Sequence, residues 1–267
     1  MTHYFRLRIK TASLSFISSC FVVSNAIAAV TIEGTRVIYD GDKAMTSVVT
    51  RNVGKKPSLV QVWTDDGSKT QDINSLNIPF SVLPPLYRID PGRGQTVRLR
   101  FNGMKLPQDR ESLFWFNLRE IPPVSSDTQA ESQLKLAFTT RIKIFYRPKK
   151  LVDKKLMNYN SLIWRQKATS KGVKLIITNP TPYYYSYAAV VGIHGNTYSN
   201  FKLSLVPPLS TIEAEQEKPL LTQTMDHLKV TLISDLGAMN IQTLGVKPGD
   251  NSVLQIQDTK NKLNKDG

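Results

Sequence analysis

Leu134, Leu136 and Phe138 alternate with Lys135 and Ala137 in the stretch Gln133–Lys143, QLKLAFTTRIK, and the run continues to Tyr146 before Arg147-Pro148 ends it. Side chains two apart share one face of a β-strand, so the three apolar residues form a row. Such a row either packs into the chain's own core or is lent to another protein. Similar short runs rich in Val, Ile, Thr, Tyr and Phe recur at Val30–Tyr39, Met45–Asn52, Ser58–Asp65, Thr96–Phe101 and Leu113–Glu120. A second set occupies Val173–Thr178, Tyr183–Ile193, Leu228–Ser234 and Val253–Ile256. Gly, Pro, Asn and Asp separate them, which is the signature of strands and turns. No stretch reads as an amphipathic helix of ordinary length. The pattern predicts an all-β protein built from sandwiches or barrels.

Pro148 divides the chain. It cannot donate to a ladder, so it ends the strand before it, and Lys149-Lys150 after it suit a short exposed linker. The reading gives an export segment at 1–28, a first domain at 29–148 and a second at 149–267. Arg6, Arg8 and Lys10 form a basic start, Ala12–Val23 is mostly apolar, and Ala26-Ile27-Ala28 fits the small-x-small cleavage rule. The mature chain is therefore expected to begin at Ala29. The alternative is an uncleaved anchor, but the apolar run is shorter than the ~20 residues a membrane span needs.

Composition narrows the chemistry. The single cysteine, Cys20, lies within the export segment. A mature chain without thiols has no disulfide framework, no thiol catalysis and no Cys-ligated metal. Removing residues 1–28 takes three basic and no acidic residues from the formal charge of +14, leaving +11. Outside the cytoplasm such a charge suits carboxylates, acidic proteins or anionic lipid, or serves solubility alone. No aromatic-plus-basic signature points to nucleic acid.

The search for an active site returns nothing. His194 and His227 lack the spacing of metal ligands, and Asp226 next to His227 would point to the opposite face of a strand. There is no G-x-S-x-G elbow and no phosphate-binding loop. Gly92-Arg93-Gly94 precedes a strand rather than a helix and reads as a turn. No catalytic residue, metal site or cofactor is predicted.

Four segments, in order, carry a family resemblance. They are Pro84–Arg98 (PPLYRIDPGRGQTVR), Leu106–Pro123 (LPQDRESLFWFNLREIPP), Thr140–Pro148 (TRIKIFYRP) and Asn179–Tyr184 (NPTPYY). With them the chain resembles the PapD-like periplasmic pilus chaperones over nearly all of its mature length. The resemblance implies two immunoglobulin-like β-sandwich domains in an L or boomerang arrangement, with a cleft between them. It implies a periplasmic, non-enzymatic protein that binds, caps and stabilises pilus subunits by donor-strand complementation, a standard example of recognition by strand addition. An outer-membrane usher then receives the subunits.

The same resemblance assigns residues. Arg36 and Lys143 match a pair of cleft cations that hold the client's C-terminal carboxylate, although each could equally be a solvated strand charge. Leu134, Leu136 and Phe138 match the row that fills the client's groove, against the plainer reading of core packing. Lys143 is odd-numbered and the row even-numbered, so a regular strand puts them on opposite faces. Glu111, Arg147 and Asp235 match an interdomain charge network; the alternative is unrelated surface charges. Val124–Ser132 resembles the shorter-loop branch of the family. A secreted immunoglobulin-like pilus subunit or adhesin is the alternative function, disfavoured by two domains and no mature cysteine. An exported enzyme on a sandwich scaffold is the third. When no client is bound, the unpaired edge invites self-association.

Overall fold

The computed structural model describes residues 29–68, 78–121, 137–152 and 159–256. Nine strands precede Pro148: β1 (Val30–Ile32), β2 (Arg36–Asp40), β3 (Met45–Asn52), β4 (Ser58–Asp65), β5 (Phe80–Leu83), β6 (Leu86–Ile89), β7 (Gly94–Phe101), β8 (Ser112–Ile121) and β9 (Thr139–Arg147). They form two sheets, ordered β1-β3-β7-β5 and β2-β9-β8-β4-β6. The inward rows of both meet in one apolar core that includes Val48, Val60, Val97, Leu99, Phe116, Leu118 and Ile144. Each large apolar side chain so buried contributes about 1.5–3 kcal/mol.

The run Val30–Tyr39, which reads as one strand, is two. Gly34, at φ +103°, turns the chain between them. Few residues other than glycine adopt that conformation. The consequence is topological: β1 joins β3 in one sheet, and β2 crosses to lie parallel to β9 in the other. Tyr39 at the end of β2 is fully buried. Its hydroxyl donates to Lys43 O at 3.1 Å and accepts from Phe101 N at 3.1 Å.

Beyond a helical turn at Lys149–Val152 and a 3-10 turn at Tyr159–Ser161 come β10 (Ile163–Thr169), β11 (Gly172–Asn179), β12 (Tyr185–His194), β13 (Thr197–Asn200), β14 (Leu205–Val206), β15 (Ser210–Ala214), β16 (His227–Ile233), β17 (Met239–Lys247) and β18 (Asp250–Ile256). These make one sheet, ordered β13-β12-β16-β17-β18-β10-β11-β15, with β14 on the side of β12. It encloses a second core drawn from Leu151 to Leu254. The fold is all β with two sheet-built domains. Three of the strands that the sequence pattern left unread have local reasons. β5 and β6 are short and flank Pro84-Pro85, a strong turn signal. β17 begins with Met239 and Ile241 pointing outward, the reverse of the usual alternation.

Candidate functional site

The site is built around β9. Along its length it pairs antiparallel with β8, from Arg119↔Thr139 to Ser112↔Tyr146. On the other side β2 covers only Lys143 to Arg147. Among the described residues, no strand pairs with Thr139–Ile142 on that side, so the first half of β9 presents a free edge. Ile142, Ile144 and Tyr146 point into the domain's own core. Phe138 precedes the strand with the same parity, and its carbonyl still accepts from Glu120 N at 3.1 Å. There the sandwich ends beneath it, and Phe138 is 41% exposed. Leu134 and Leu136 lie outside the described residues.

Where β2 begins, Arg36 stands directly opposite Lys143 in the ladder. Alternation puts both on the outward face. Arg36 Nη1 donates to Ile233 O of the second domain at 3.2 Å, which fixes the guanidinium at the domain junction. Lys143 Nζ lies 5.3 Å from the ring centre of Trp115, its cross-strand partner on β8. Arg141 stacks on the same ring at 4.2 Å and is in turn held by Asp65. Among the described residues no carboxylate pairs with Lys143. Burial, and then the adjacent Arg36 charge, push its amine below the ordinary lysine range. Two cations crowded in this way are stabilised by an anion placed between them.

Four residues further along β9, Arg147 is 2% exposed, and its partner Glu111 is 3% exposed. Arg147 Nε donates to Glu111 Oε1 at 2.8 Å; Nη2 lies 2.8 Å from the same oxygen and donates to Asp235 Oδ2 at 2.9 Å. Glu111 also accepts from Tyr184 N at 2.8 Å, and its own amide donates to Pro182 O at 2.9 Å. Glu111 and Arg147 come from the first domain, and Asp235, Pro182 and Tyr184 from the second. Burial pushes the Glu111 carboxyl up, while the two acids keep Arg147 charged. The three charges that the sequence paired only by resemblance thus meet across the junction.

The Asn179–Tyr184 segment shows why its residues matter. Buried Asn179 donates to Tyr183 O and Pro207 O, both at 2.8 Å, and accepts from Thr181 N at 2.9 Å. This side chain knots the loop that carries Tyr184 to Glu111 and lays Tyr184 5.5 Å from Phe145. Gly237, in the turn after Asp235, has φ +82° and faces Thr35; a Cβ there would lie 2.9 Å from Thr35 Oγ1. Gly237→Ala should therefore widen the junction and lower Tm, a change readable by thermal melting.

Residue-level reasoning overlooked Trp115 and the Pro182-Tyr184 contacts. The available signal for Trp115 was its outward parity between Phe114 and Phe116. His194, which lacks metal-ligand spacing in the sequence, is half-exposed and lies 3.4 Å from Asp226.

Comparison with known proteins agrees on one family. Residues 29–152 match the model of the pili and flagellar-assembly chaperone, PapD N-terminal domain. Residues 158–244 match that of the pili assembly chaperone PapD, C-terminal domain. The chain is 41% identical over 182 residues to the probable fimbrial chaperone YadV of Escherichia coli K12, covering 67% of this chain and 74% of that protein. It is 39% identical over 207 residues to the chaperone protein FimB/FhaD of Bordetella pertussis, covering 76% and 84%. The crystal structure of the YadV chaperone superimposes with a TM-score of 0.66 at 33% identity, over 82% of this chain and 100% of that one.

Proposed function

This chain belongs to the PapD-like family of pilus-assembly chaperones, a class that is not enzymatic, and on that premise we propose that it works in the periplasm by lending a strand to pilus subunits. The client is a subunit whose sandwich lacks one strand. The edge leading into β9 supplies it, with Leu134, Leu136 and Phe138 entering the client's groove. Arg36 and Lys143 hold the client's C-terminal carboxylate. An outer-membrane usher then takes over the subunit.

The observation that carries this reading is the convergence at one point of β9. The free edge of β9, the exposed Phe138 just before it, Lys143 on it and Arg36 on the paired β2 lie side by side. Their tasks differ. The apolar row supplies about 1.5–3 kcal/mol per side chain buried in the client. It cannot by itself set the register, since a slip of one residue turns every side chain to the wrong face. A carboxylate held at a fixed point sets it, through charge-assisted hydrogen bonds of roughly 1.5–3 kcal/mol each. Parity fits both tasks. The even row meets the client's interior, while odd-numbered Lys143 faces the domain junction.

The test is co-production with a pilin lacking its own last strand, followed by isolation of the complex. A 1:1 complex is expected. Phe138→Glu and Leu136→Glu should each abolish it and leave client aggregated. Phe138 is partly exposed, so Phe138→Glu should change the chaperone's own stability by no more than about 0.5 kcal/mol. A variant that unfolds would instead assign the row to the chaperone's core.

Binding should also respond to pH in one direction. Free Lys143 titrates below the ordinary lysine range, and a bound carboxylate favours its ammonium form and raises that value. Above the free value, binding takes up a proton. Affinity for a carboxylate-terminated client peptide should be level below the free Lys143 value and fall as pH rises through it, by up to about tenfold per unit. Calorimetry in buffers of different ionisation enthalpy would register the proton uptake. An amidated peptide should lose most of this dependence.

A further inference from the structure

The inner row of β8 reads Phe114, Phe116, Leu118 and then Glu120. Three core side chains are followed by a half-buried carboxylate at the rim. One oxygen of Glu120 accepts at 2.7 Å from Ser58 Oγ, the inward residue that opens β4. The other accepts from the main-chain nitrogen of Ala29 at 3.0 Å. Among the described residues, no lysine, arginine or histidine forms an ion pair with Glu120. Among the described residues, a carboxylate on a core-facing row thus has a hydroxyl and one amide as its partners, and a partly buried charge without a counter-charge is costly.

Ala29 is held from its other sides as well. Its carbonyl accepts from Val53 N at 2.8 Å, and the next residue, Val30, opens the ladder with Asn52. Its methyl group sits where a Cβ on Gly54 would come within 2.7 Å. Asn52 shapes that turn by donating to Lys56 O at 2.8 Å and accepting from Gly54 N at 2.9 Å. The nitrogen of Ala29 thus faces Glu120 across the rim, from one sheet to the other. It is also the atom that the sequence marks as the new terminus after export.

We propose that Glu120 is the receptor for the α-ammonium group of Ala29, so that removal of the export segment completes the first domain with an ion pair. This rests on the export reading above and goes beyond it. Hydrolysis of the Ala28–Ala29 bond by a signal peptidase places the hydroxyl of water on the Ala28 carbonyl and its proton on the Ala29 nitrogen. At neutral pH that nitrogen takes a further proton from solvent. A neutral amide donor becomes a cation with three N–H donors, 3.0 Å from a carboxylate that has no other cationic partner among the described residues. The pair ties β1, a three-residue edge strand, to the opposite sheet. An unprocessed chain has only the neutral amide hydrogen bond in its place, so the domain reaches full stability only after cleavage.

Intact mass of the exported protein and a two-by-two thermal comparison test this. The mass should equal that of residues 29–267; any other terminus overturns both the proposal and the export reading beneath it. The chain is then prepared beginning at Ala29 or with one glycine added before Ala29, each with and without Glu120→Gln. In the chain beginning at Ala29, Glu120→Gln should lower Tm by roughly 4 °C at pH 7. In the extended chain the same substitution should cost less than half as much. Equal losses in both would make Glu120 an ordinary hydrogen-bond acceptor and overturn the proposal while leaving the export reading intact.

Discussion

Arg147→Ala is expected to destabilise the protein by about 3–5 kcal/mol, the largest loss from any single side chain at the domain junction. The reason is what stays behind. Glu111 is almost wholly buried, and among the described residues Arg147 is the one cation paired with it, through Nε and Nη2. Without the guanidinium, Glu111 is left with one main-chain donor, Tyr184 N. It must then take up a proton or draw in water, and Asp235 loses its ion pair as well. Urea unfolding of the Arg147→Ala variant would read this as a fall in midpoint. A second variant separates stability from orientation. Replacing Glu111, Arg147 and Asp235 together by apolar residues of similar size removes the charges and their desolvation cost at once, and such replacements are often neutral. We expect that triple variant to regain most of the lost stability and to show, by small-angle scattering, a wider spread of domain angles. A single variant costing less than about 1 kcal/mol would show the network to be incidental to the fold.

Arg36→Ala and Lys143→Ala should each weaken client binding by about 2–5 kcal/mol, roughly 30-fold to several thousand-fold, with the fold retained. Neither residue contributes to the core of the first domain, so the loss should appear in the complex and not in the melting curve. The two losses should not add. Each cation lowers the cost of holding the same carboxylate, and residues that share one partner are coupled. Lys143→Arg would keep the charge but displace it, because the Trp115 ring and the adjacent Arg36 leave the head group little freedom. Affinity measured with a client peptide ending in a free carboxylate, beside the same peptide amidated, isolates the anchor. If both alanine variants held the carboxylate form as tightly as the unmodified protein, the anchor would lie elsewhere.

Where strands were legible in the sequence, it was because period-two alternation is local. Met45–Asn52 and Ser58–Asp65 were read with the ends they have in the structure, and Leu113–Glu120 to within a residue at each end. The split of Val30–Tyr39 was not legible. Gly34 looks like any glycine until its φ sends β2 to the other sheet. The candidate site divides in the same way. Arg36, Lys143, Glu111, Arg147 and Asp235 were named through a family likeness, and nothing in their spacing brings 36 beside 143 or 235 beside 147. Trp115 was passed over because an aromatic residue in an apolar run reads as core, and only the sheet's neighbours turn it into a platform for two cations.

Taken alone, the sequence determined an all-β chain with a break at Pro148 and an apolar row of even parity before Lys143. It also determined that the region after residue 28 lacks a thiol. Each of these follows from short-range rules of side-chain alternation, ring geometry and composition. The tertiary structure alone decided that the core beneath β9 ends before Phe138, that β2 shields only the second half of that strand, and that the two cations and the buried triad lie at one junction. Those facts depend on which strands become neighbours. That is set by tertiary packing, over separations of 36 residues for Glu111 and Arg147 and 88 for Arg147 and Asp235, and no local pattern encodes it.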